Sequence, residues 1–213
     1  MKTSEKIILG IILASFTIGI WFYPRMPERM ASHWNFRGEV DGYVSRCWGL
    51  FLMPFISLIL VALFILLAKI DPLKENVESF RKYFDDFIIL ILGFLFYLYV
   101  LTIFWNLEFR FNMALAISPA FAGLFYYCGI LMENSKRNWF IGIRTPWTLS
   151  SERVWLKTHK IGGKLFKIVG MISIFGILFK SYALFLIFMP ILGIAIYLSI
   201  YSYLEYKKEF HKS

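Results

Sequence analysis

Trp-Gly-Leu-Phe-Leu-Met-Pro-Phe-Ile-Ser-Leu-Ile-Leu-Val-Ala-Leu-Phe-Ile-Leu-Leu-Ala, residues 48–68, contains no charged side chain. About 20 apolar residues are enough for a helix to cross a bilayer core. Inside that core only helices and closed barrels satisfy their own backbone groups. The stretch therefore predicts a membrane-spanning helix. Five further apolar runs lie on either side, at 7–23, 84–105, 111–132, 162–179 and 182–203. The first follows Lys2 and Lys6 and ends in Trp21-Phe22-Tyr23-Pro24, with no small-residue cleavage site. It reads as a retained span with an aromatic anchor, not as a signal peptide. Pro119 and Gly123 mark points of kinking or close packing in the fourth run.

Composition agrees. The chain is 59% hydrophobic, 20% aromatic and 17% charged, where soluble domains are about a quarter charged. The expected fold is all-α: one polytopic membrane domain over 1–213, with about six transmembrane helices, an outer loop cap at 24–47 and an inner loop at 133–161. The two halves each read span, loop, span, span, without residue-level similarity. The net charge of +9 suggests nucleic acid, but its basic residues sit in short loops and no nucleic-acid-binding signature is present. No direct nucleic-acid contact is expected; the charge orients the chain instead. With six spans, seventeen of the 23 lysines and arginines fall on the side of both termini and the 133–161 loop. The positive-inside rule puts that side in the cytoplasm of a multi-pass protein in the cell membrane. Cys47 and Cys128 then lie at opposite faces and do not pair.

The inner loop is the most information-rich part. Residues 138–159 read Asn-Trp-Phe-Ile-Gly-Ile-Arg-Thr-Pro-Trp-Thr-Leu-Ser-Ser-Glu-Arg-Val-Trp-Leu-Lys-Thr-His. Pro146 forces Thr145 toward extended backbone, so no helix runs through 144–146. A helix restarts beyond it, with Ser150 as N-cap and Glu152 in its first turn. Along this helix Val154, Thr158, Ile161 and Leu165 form one face. Arg153, Lys157, Lys160 and Lys164 form a second, and Glu152, Trp155 and His159 a third. This is the pattern of an amphipathic helix lying in a membrane interface, its cations reaching lipid headgroups. Arg144 between Trp139 and Trp147, like Arg37 beside Trp34 and Phe36, suggests cation–π or phosphate contacts.

In the outer loop, His33, Glu39 and Asp41 could hold a metal or a proton, but their spacing matches no zinc motif. A folded cap is the blander account, with turns at Gly38 and Asp41-Gly42 and with His33 and Asn35 bonding backbone. Glu152 and His159 lack a third ligand or nucleophile. No metal, cofactor or catalytic residue is expected. The few ionisable residues near the spans (Asp85, Asp86, Glu108, Arg110, Lys167) stay near their ends, which argues against an ion-coupled pump.

The run at 138–155 resembles the signature of the SdpI family of bacterial membrane proteins. The outer segment is similar to the uncharacterised module that usually precedes it, through Pro27, Met30, His33, Gly38, Asp41, Gly42 and Tyr43. It departs at Ala31, where that pattern has a second proline, and a looser turn is expected there. The resemblance implies an immunity protein that resists a secreted toxic peptide, and one relative is reported to hold a cytosolic transcriptional repressor at the membrane. It would make Pro27, His33, Trp34, Asn35, Gly38 and Asp41 candidates for meeting the peptide. Asn138, Gly142, Arg144, Thr145, Pro146, Trp147, Thr148, Glu152, Trp155 and His159 become candidates for meeting the cytosolic partner, beside membrane lipids. A transporter, or less readily a membrane-embedded metal enzyme, are the alternatives.

Overall fold

The structure is a computed structural model and describes residues 2–35, 37–175 and 183–210. Its helices are α1 (Thr3–Phe22), α2 (Arg46–Ile70), α3 (Lys74–Ser79), α4 (Arg81–Asn106), α5 (Met113–Asn134), α6 (Pro146–Ser150), α7 (Glu152–Phe175) and α8 (Ala183–Phe210). Five stretches among the described residues are long and apolar enough to cross a membrane: Thr3–Arg25, Arg46–Ile70, Arg81–Asn106, Met113–Asn134 and Ile187–Glu209. The chain is thus an essentially all-α, polytopic membrane-type protein. The remaining expected span, 162–179, begins within α7; residues 176–179, the Lys180-Ser181 link and Tyr182 lie outside the described residues.

α1, α2 and α4 pack mutually, α5 and α7 lie along each other, α8 closes on both, and α4 meets α5. Two buried clusters hold the first three helices. Phe80, Phe84, Ile88 and Leu92 form one with Ala68, Val77 and Leu131. Met26, Met30, Leu50, Tyr99 and Ile103 form the other. Much of the remaining apolar surface faces outward, including Leu13, Trp48, Ile59, Leu66 and Ile196, as expected where the solvent is hydrocarbon.

The amphipathic helix and the fifth apolar run are one continuous element. α7 leaves the inner loop at Glu152 and runs antiparallel along α5, which small residues permit. A Cβ on Gly129 would stand 2.5 Å from the Gly163 carbonyl, and one on Gly170 would stand 2.7 Å from the Ala122 carbonyl. The helix is therefore not laid flat on an interface: Val154, Trp155, Thr158, His159, Gly162 and Gly163 are all buried against protein. Arg153, Lys160 and Lys164 remain exposed.

The cap is a β-hairpin, a departure from the all-helical expectation. β1 (Arg29–Trp34) pairs antiparallel with β2 (Val40–Ser45), with a bulge near His33. Asp41-Gly42 is strand here, not turn; the reversal falls between the strands, where Gly38 has φ +80. Alternation in Val40–Ser45 is the period-2 signal that could have revealed it.

Candidate functional site

The two ends of the bundle are distinct. At one end lie the hairpin and the 107–112 link, joined where Asn112 Nδ2 donates to the Arg37 carbonyl at 3.1 Å. At the other lie the 71–80 link, the 135–151 loop, the start of α1, whose Ser4 hydroxyl is 3.5 Å from Asp85 Oδ2, and the end of α8.

The hairpin is fastened by one amide. Asn106, at the last turn of α4, accepts the Ala31 N–H at 2.8 Å and donates to the Ala31 carbonyl at 3.0 Å, mimicking a strand partner. Ala31 and Met30 are fully buried. No turn stands at Ala31, which lies within β1 with the bulge just after it; a proline there would lack the N–H that Asn106 accepts. Asn35 Oδ1 takes the N–H groups of Arg37 and Glu39, at 2.9 and 3.1 Å. His33 bonds the Asp41 carboxylate across the strands, on the exposed face, instead of bonding backbone. Trp34 packs edge-on against Trp105, over whose ring Arg110 lies at 3.8 Å. The arginine–aromatic contacts of this end include Arg25 over Trp21 and Phe22, Arg29–Tyr43, Arg46–Tyr23 and Arg110–Trp105, with Arg37 bonded through its backbone. Pro27, just before β1, offers its carbonyl to Arg46 Nε at 3.5 Å.

The inner loop folds around His159. Its Nε2 accepts the Ile143 N–H at 2.9 Å while Nδ1 donates to the Trp155 carbonyl at 2.9 Å, a pairing that assigns the neutral tautomer. The ring stacks on Trp155 at 3.8 Å between centroids, and Trp155 Nε1 donates to the Ser135 carbonyl at 3.0 Å. Gly142 passes so close (φ +107) that a Cβ would meet His159 Nε2 at 2.4 Å. Burial pushes the His159 pKa down to about 4, more than the bond to Trp155 raises it. Protonation would place a donor where Ile143 already donates.

Asn138 closes the loop's first turn. Its Oδ1 accepts the N–H groups of Phe140 and Ile141, and its Nδ2 donates to the carbonyls of Lys136 and Ile141. All four of its bonding positions are used. Thr145 is extended (ψ 159) and caps α6, accepting the Thr148 N–H at 3.2 Å, with Pro146 in the first turn. Ser150 ends α6; the cap of α7 is Ser151, whose hydroxyl accepts the Val154 N–H at 3.2 Å. The expected cap was therefore one residue early, because a short extra helix occupies 146–150.

Of the ten inner residues singled out, Asn138, Thr148, Trp155 and His159 are inside, shaping the loop and offering no surface. Glu152 reaches Arg137 Nε at 3.4 Å and does not meet His159. Trp147 packs on Tyr203 of α8 at 5.1 Å, and Thr145 bonds Ser202 at 3.0 Å. Arg144 is exposed, and its guanidinium donates to the Trp139 carbonyl at 3.2 Å. The sequence reading passed over Asp71, which accepts the N–H groups of Leu73 (2.7 Å) and Trp139 (2.9 Å) and ties α2 to the loop. It also passed over Arg137, whose guanidinium holds the Leu149 carbonyl at 3.0 Å, and over Asn106. A lone polar residue at the mouth of an apolar run is the signal all but Arg137 share.

Among the described residues no three His, Cys, Asp or Glu side chains group as a metal site would require. The geometry defines a polytopic membrane-type protein with a clamped hairpin at one end and a self-bonded loop at the other. Residues 134–202 match the SdpI/YfhL protein family, and residues 10–58 match a domain of unknown function, DUF1648. The chain thus carries the SdpI/YfhL family domain behind that module, the hairpin lying in the module and the inner loop in the domain. It is 28% identical to Immunity protein SdpI of Bacillus subtilis (strain 168), over 96% of this chain and 97% of that protein. It is also 29% identical to the uncharacterized membrane protein YbgB of the same organism, over 27% of this chain and 63% of that one. No solved structure matches.

Proposed function

We propose that this chain is an SdpI-like immunity protein that protects a bacterial cell against a secreted toxic peptide without catalysing a reaction. The observation that carries this reading is the end-to-end similarity to Immunity protein SdpI, covering 96% of the chain. The architecture suits it. The hairpin offers exposed polar groups, His33, Asp41 and Glu39, for a peptide arriving from outside, with both termini and the 133–161 loop in the cytoplasm. The inner loop offers Trp139, Arg144 and the basic face of α7 to a cytosolic repressor, which the protein would sequester once peptide is engaged. α4 joins them, fixed to the hairpin by Asn106 and to the inner end by Phe80 and Phe84.

The test is expression in a strain sensitive to the cognate peptide. Survival should rise in the presence of this protein, and unchanged killing despite normal membrane insertion would refute the reading. Arg144→Ala should leave protection intact while abolishing recruitment of the repressor.

A further inference from the structure

Beneath the inner loop, where α2 and α5 end and α4 begins, lies a cavity of about 260 Å³. Phe64, Phe84, Phe87 and Leu131 make its walls apolar; Cys128 and Arg144 also line it. Pockets for drug-sized ligands measure roughly 300–1,000 Å³, so this smaller, phenylalanine-walled space suits a segment of hydrocarbon chain better than a compact polar solute.

The charge at its edge points to what that chain is attached to. Three cations of this end are paired with carboxylates: Arg137 with Glu152, Lys157 with Glu205, and Lys167 with Glu133. Arg144 differs. Among the described residues no carboxylate lies within ion-pairing distance of it, and its guanidinium bonds a neutral carbonyl, that of Trp139. Arg144 is exposed, as are Lys136, Arg153 and Lys160 of the same loop and helix start. A guanidinium matches phosphate geometry, and a basic surface beside spanning helices attracts anionic headgroups.

We propose that this cavity is a binding site for an anionic phospholipid, with one acyl chain among the phenylalanines and the phosphate held by Arg144. The source is the surrounding bilayer, because the cavity lies at the ends of three spanning helices.

Cys128 reports occupancy directly. In full-length protein carrying Cys47→Ser it is the sole thiol. The protein is placed in nanodiscs of dioleoylphosphatidylcholine, with or without dioleoylphosphatidylglycerol, and alkylated with N-ethylmaleimide. Phosphatidylglycerol should slow alkylation of Cys128 about fivefold, the order expected for one arginine near an anionic surface. Arg144→Gln should abolish the slowing, and Arg144→Lys should retain part of it. Equal rates in the two membranes, or slowing that survives Arg144→Gln, would overturn the proposal. So would no reaction in either membrane, since an open cavity must admit the reagent. Protection by free dodecanoate but not by phosphatidylglycerol would overturn the bilayer as source. The lipid comparison itself needs no substitution at the cavity, only Cys47→Ser at the far end of the bundle.

Discussion

The Ile143 amide donates to Nε2 of His159 across sixteen residues of sequence, at 2.9 Å. This contact joins the loop that ends α5 to the helix that begins beyond Pro146, and the glycine before Ile143 is the residue that lets the backbone come so near. His159 therefore acts as an internal template for the loop.

Because His159 is held neutral with a pKa near 4 against an ordinary 6.5, protons bind the unfolded loop before the folded one. Stability from this group is complete above about pH 6.5, falls as pH drops through 6.5 toward 4, and is flat below. The full span amounts to about 3 kcal/mol. The protection factor at the Ile143 amide, its exchange rate divided into the intrinsic rate at each pH, should fall steadily between pH 6.5 and 4.5, and His159→Gln should flatten that part of the profile.

Gly142→Ala puts a methyl group against the imidazole and forces a residue with Cβ to positive φ. A cost of about 1–3 kcal/mol is expected from the backbone alone. Trypsin should cut at Arg144 faster in the variant, with the membrane helices still intact by circular dichroism.

Asn106→Leu leaves the buried Ala31 N–H and carbonyl without their partner. Each orphaned group costs about 1–3 kcal/mol. The hairpin should loosen while the bundle persists, seen as faster exchange at the Ala31 amide and faster cleavage at Arg37. Ala31→Pro should resemble it; protection equal to the parent in both variants would show that the clamp is dispensable.

In protein carrying Cys47→Ser, which removes the exposed outer thiol, the proposed orientation makes Ser150→Cys silent and Ser32→Cys reactive toward a membrane-impermeant maleimide in intact cells. The reverse pattern would place the tryptophan-rich loop outside and remove any route to a cytosolic partner.

Gly163→Leu should be among the most damaging single changes. A Cβ there stands 2.4 Å from Glu133 Cγ and 2.7 Å from the Gly129 carbonyl, so α7 must part from α5. Overpacking of this kind costs about 1–3 kcal/mol or more, read as a lower melting temperature in detergent.

The sequence by itself determined the solvent of this protein, the runs that become its helices, the break at Thr145-Pro146 and the likeness of its two motif-bearing loops to a known family. Those are local properties: apolar length, a missing amide hydrogen, residue spacing. The hairpin was half visible, in the alternation of 40–45, but its bulged partner strand hid the period. Only the tertiary structure decided that Trp155 and His159 turn inward and that one amide at Asn106 fastens the cap. It also decided that α7 leaves the interface to run beside α5. Each depends on which backbone group comes within 3 Å of which side chain. Such meetings join residues sixteen to seventy-five positions apart, and no periodicity or propensity along the chain encodes them one residue at a time.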